Sequence, residues 1–109
     1  MENERRNRIR RAFELQPEGL LSLHIDGQPI DILDVQDISP FGIGLLIDSH
    51  VTNGCSVTLR YIHDRSDIQV SGSVVWTSPG ESGTATRLGV YLQEEDMSQN
   101  VAFFNAITA

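Results

Sequence analysis

The sequence predicts a small all-β domain with one terminal α-helix. Three observations predict it. From Leu20 to Leu92 apolar residues alternate with polar ones, the period of strands that bury one face. Gly, Pro, Asn, Asp and Ser gather between those runs, as turn chemistry requires. After Glu94 the apolar spacing lengthens to three and four residues, which is helical.

Each element follows in order. Residues 1–14 lack the alternation and read as a flexible arginine-rich arm. Leu21, Leu23 and Ile25 form a first strand, and Asp26-Gly27 is a hairpin turn signal. The second run opens with Ile30 and Ile32 on one face and continues with Leu33 and Val35 on the other, so a bulge is expected near Ile32 or Leu33. Ile43, Leu45 and Ile47 make a third strand; Cys55, Val57, Leu59 and Tyr61 a fourth. Ile68, Val70, Val74 and Trp76 make a fifth, with Gly72 inside it, and Leu88, Val90 and Leu92 a sixth. Met97, Val101 and Phe104 set the helical stripe, widened by Phe103 and Ile107, behind the acidic start Glu94, Glu95 and Asp96. Six strands in about 75 residues with hairpin-length gaps fit a small six-stranded antiparallel β-barrel, closed or nearly so, because closure removes exposed edges. The expected organisation is a single domain over 1–109: arm 1–14, barrel 19–92, C-terminal helix 94–107.

Composition narrows the function. At 39% apolar and 21% charged residues the chain is an ordinary globule. No apolar run approaches the roughly 20 residues that span a bilayer, and the charged N-terminus does not read as a secretory signal. Cys55 is the sole cysteine, which removes an internal disulfide and fits a cytoplasmic location. Charge is uneven. All eight cations are arginines; Arg5, Arg6, Arg8, Arg10 and Arg11 stand beside only Glu2 and Glu4, a segment charge of +3. The remaining 98 residues hold three arginines and thirteen acids, or −10. Such a body repels nucleic acid polymers, while a compact arginine cluster suits one localised anionic partner.

No catalytic constellation stands out. His24, His50 and His63 lack metal-ligand spacing, and Cys55 has no adjacent base, so neither a metal site nor a nucleophile is expected. Two motifs remain. Arg6-Asn7-Arg8-Ile9-Arg10 is an R-x-x-x-R, and Asp37-Ile38-Ser39-Pro40-Phe41-Gly42 is a D-x-S-x-x-G between the second and third strands. Each alone is weak: a basic tail is usually solvated, and Asp-x-Ser before Pro and Gly is an ordinary turn.

Together, in this order and spacing, with Gly72-Ser73-Val74-Val75-Trp76 and Leu88-Gly89-Val90 downstream, they resemble the PilZ domain, a bacterial receptor module for cyclic di-GMP. Tyr91 and Leu92 depart from the family, which often has an arginine or other polar residue and then Phe there. The resemblance implies a non-enzymatic cytoplasmic receptor or adaptor, with no metal and no cofactor beyond its nucleotide ligand. Arg6 and Arg10 are implied to contact phosphate and guanine, Asp37 to accept from the guanine N1–H and N2–H₂, Ser39 to donate to phosphate or hold the loop, and Gly42 to permit close backbone approach. Arg5, just before the motif, favours two intercalated ligand molecules per chain. Arg8 is a peripheral candidate. Trp76 is another, although its apolar strand face favours core packing over guanine stacking. Phe41 is expected exposed or half-buried, against ligand or partner. The output would be a change acting on a protein partner or fused domain, in a process such as motility or biofilm formation. The alternative is a degenerate adaptor that binds protein and no nucleotide.

Overall fold

The computed structural model describes residues 12–14, 19–81 and 83–108. Eight antiparallel strands are present among them: β1 (Ala12–Glu14), β2 (Leu20–Ile25), β3 (Gln28–Ile30), β4 (Ile32–Ser39), β5 (Gly42–Ile47), β6 (Ser56–His63), β7 (Ser66–Pro79) and β8 (Thr86–Leu92). Six of them are the expected runs. The two additional strands, β1 and β3, are three residues each and share one edge of β2, β1 along Leu20–Ser22 and β3 along Leu23–Ile25. The sheet runs β1-β2-β6-β7-β8-β5-β4 and curls into a half-barrel whose end strands β1 and β4 lie close together. No ladder joins those two strands among the described residues.

Alternation buries one face. Leu21, Leu23, Ile43, Leu45, Ile47, Leu59, Leu88 and Leu92 are almost fully enclosed and form one core. The Asp26-Gly27 turn joins β2 to β3 with positive φ at both residues (51° and 82°), the geometry a two-residue hairpin demands. Asp26 also accepts from the Ser56 N–H at 3.0 Å, tying this hairpin to β6.

Three register shifts shape the outer face. The first lies between Ile32 and Asp34, where the sequence pattern slips. The second lies between Val35 and Asp37, the third between Val74 and Trp76. Each inserts one extra residue, and each extra residue turns the next side chain to the opposite face.

A 3-10 turn over Glu94–Asp96 leads into α1 (Met97–Thr108), which packs on β7. The buried row of α1 is Asn100, Phe103 and Ile107, not Met97, Val101 and Phe104. Val101 is exposed and Phe104 half-buried. The row is displaced because Asn100 occupies it for a polar reason: its side-chain amide donates to the Gln93 carbonyl at 2.8 Å, pinning the helix start to the end of β8. No described helix is long and apolar enough to cross a membrane.

Candidate ligand-binding cleft

On the outer face, residues of β4, β5, β8 and β7 line up in cross-strand rows. One row is Asp37, Gly44, Gly89 and Trp76; the next is Ser39, Gly42, Tyr91 and Ser73. Around them lies an open cleft of about 260 Å³, lined by Asp37, Ser39, Phe41, Gly42, Gly44, Val75, Trp76, Gly89 and Tyr91 among others.

Asp37 reaches this face through the second register shift. Val35 pairs with the buried Leu45, so unbroken alternation would turn Asp37 inward as well. The extra Gln36 pairs Asp37 with Gly44 instead, and its carboxylate is exposed. Ser39 accepts the Phe41 N–H on its Oγ at 3.1 Å, which holds the loop and leaves its own proton to donate. The Phe41 carbonyl in turn accepts from the Leu92 N–H at 2.8 Å, fixing the loop to β8. Gly42 does not sit at positive φ; what it needs is space. A Cβ there would lie 2.4 Å from the Val90 carbonyl oxygen.

Trp76 corrects an expectation. Core packing does not hold: Trp76 is 46% exposed. Val74 pairs with Val90 and faces the core, but the extra Val75 pairs Trp76 with Gly89 and turns it outward. Phe41 and Tyr91 are exposed beside it, so the cleft carries three aromatic rings at the surface. The Tyr91 hydroxyl donates to Glu94, and that bond, helped by desolvation and the carboxylate charge, raises its pKa and keeps the phenol neutral.

Sequence reasoning therefore named five residues that the fold brings together: Asp37, Ser39, Phe41, Gly42 and Trp76. Arg5, Arg6, Arg8 and Arg10 lie outside the described residues. It missed Gly44, Gly89 and Val75, although Gly42-Ile43-Gly44-Leu45 alternates bare with apolar positions and so marks one face without side chains. Among the remaining arginines, Arg60 is bidentate to Asp67 (2.8 and 2.7 Å) on β6 and β7, away from the cleft. Arg87 is on the cleft's own face, two residues from Gly89. A larger hollow of about 460 Å³ lies between His50 and Thr86 but has no arginine among its described lining residues.

Comparison with known proteins adds one result. No curated protein matches the chain. The family model of the PilZ domain matches residues 4–107, nearly the whole length and including both motifs, and on that match the chain belongs to the PilZ domain family.

Proposed function

We propose that this domain is a cytoplasmic cyclic di-GMP receptor in which the N-terminal arginines and the outer-face cleft share one ligand. PilZ domains form a cyclic di-GMP receptor family. The observation that carries the reading for this chain is the convergence of Asp37, Ser39, Gly42 and an exposed Trp76 on one cleft. Asp37 is an acceptor, matched to the N1–H and N2–H₂ donors of guanine. Adenine offers a lone pair at N1, which a carboxylate repels. Trp76 offers a ring on which a base can stack. Arg6 and Arg10 supply charge-assisted contacts to phosphate and to the guanine O6/N7 edge. They precede β1, which lies beside β4, the strand that carries Asp37 and Ser39. The cleft is open and, among its described lining residues, holds no cation, so in this reading the phosphates are left to the N-terminal arginines. Ligand binding would alter this surface and signal to a protein partner or fused domain, in a process such as motility or biofilm formation.

Titration calorimetry tests the reading. Cyclic di-GMP is expected to bind, and cyclic AMP to bind on the order of 100-fold more weakly or worse, because Asp37 loses its donors. Equal affinities would end the guanine assignment. Absence of heat with cyclic di-GMP would leave the adaptor that binds protein alone.

Stoichiometry is a second expected result. Two stacked ligand molecules bring four phosphates together, and Arg5, Arg6, Arg8 and Arg10 offset their repulsion. The wild type should bind two molecules per chain, with affinity falling steeply as salt rises. Arg5→Ala should move the ratio toward one while part of the affinity remains. A ratio of one in both proteins would make Arg5 surface charge only.

A further inference from the structure

The geometry points to Gly44 and Gly89 as positioning residues that let Asp37 and Trp76 lie down on the sheet and face each other as one base-reading shelf. This rests on the cyclic di-GMP reading above.

The four residues form a single cross-strand row, with the glycines on the two central strands and the functional side chains on the two outer ones. The backbones of Asp37 and Trp76 are three strand spacings apart, about 14 Å. That span is too wide for two upright side chains to act on one base. The glycines remove the obstacle between them. A Cβ on Gly89 would meet Trp76 at Nε1 (2.1 Å), Cε2 (2.5 Å) and Cδ1 (2.7 Å). Such similar distances to three bonded ring atoms mean that the face of the indole covers Gly89, and the opposite face is turned outward. A Cβ on Gly44 would meet Asp37 at Oδ1 (3.0 Å), Cγ (3.3 Å) and Oδ2 (3.4 Å). The carboxylate thus leans over Gly44 toward β8, while the indole leans over Gly89 toward β5. Both glycines are buried, although they sit on the outer face.

These two positions differ from the tight strand glycines Gly42 and Gly72. At Gly42 and Gly72 the nearest atoms are backbone carbonyls, which cannot yield. At Gly44 and Gly89 all three nearest atoms belong to the functional side chain itself. Neither residue has a left-handed φ, so alanine suits the backbone at both. Adding a methyl group there moves the side chain and leaves the sheet in place.

Trp76 is the only tryptophan in the chain, so its emission reports the indole directly. Gly89→Ala should shift the emission of the free protein to longer wavelength, as the ring lifts into water. It should weaken cyclic di-GMP binding on the order of tenfold, within the range of a lost base–aromatic stack. In a Trp76→Ala background the same substitution should cost nothing further. Gly44→Ala forms an independent second arm. It should lower affinity by a smaller factor, since its clash is milder, and its effect should vanish in an Asp37→Ala background. Unchanged emission in Gly89→Ala, or equal losses with and without Trp76, would overturn the assignment for Gly89; equal losses with and without Asp37 would overturn it for Gly44. If the wild type binds no cyclic di-GMP, the receptor reading fails, whereas the emission of free Gly89→Ala still decides whether Gly89 holds the indole down.

Discussion

Alanine at Arg6 or at Arg10 should weaken cyclic di-GMP binding by about 1.5–3 kcal/mol each, roughly 10- to 150-fold, because each removes a charge-assisted contact to phosphate or guanine. The effect should persist in part at high salt. Bulk attraction is screened over about 10 Å at 0.1 M, whereas a bidentate pair in contact is screened far less. Neither variant should change the melting temperature of the free protein appreciably, since the core is built from apolar side chains of the strands and α1. Calorimetry at two salt concentrations, with a thermal melt of each variant, checks both halves. A large fall in melting temperature would make the arginines structural.

Phe103→Ala should cost about 3–5 kcal/mol of folding stability, the usual range for removing a buried aromatic ring. Phe103 is 0% exposed and is the largest of the fully enclosed side chains; with Ile107 it docks α1 onto the core. A domain of this size has a total stability of only about 5–15 kcal/mol, so the variant should stand close to unfolding at room temperature. Urea denaturation measures the loss. A cost below about 1 kcal/mol would mean that the ring's cavity collapses or that the helix is dispensable.

Much of the fold was legible because its signal is local. Leu21-Leu23-Ile25 and Leu88-Val90-Leu92 alternate without interruption, and all six residues are buried as that pattern requires. The shift near Leu33 was legible too, since Ile32 and Leu33 are both apolar in a strand of period two. The shift at Val75 was not. Val74, Val75 and Trp76 are all apolar, so the sequence reads equally well with or without an extra residue, and only pairing with β8 shows that Trp76 faces out. The helix stripe was misplaced for a different reason. Hydropathy discounts asparagine, yet Asn100 is buried through one hydrogen bond to the Gln93 carbonyl.

The cleft was half legible. Asp37, Ser39 and Gly42 lie within one short motif, and a motif can be read in a line. The row from Asp37 through Gly44 and Gly89 to Trp76 cannot, because its members come from four strands and meet only once every register is fixed.

The extra residues Gln36 and Val75 are exposed and carry no chemistry that the cleft requires. What they contribute is slack. If either one were drawn into the ladder as a regular strand residue, the alternation would turn Asp37 or Trp76 toward the core, whereas removing it altogether would leave Val35 beside Asp37, or Val74 beside Trp76, still on opposite faces. The orientation of both side chains thus depends on these two residues staying out of the pairing, and hardly at all on what they are.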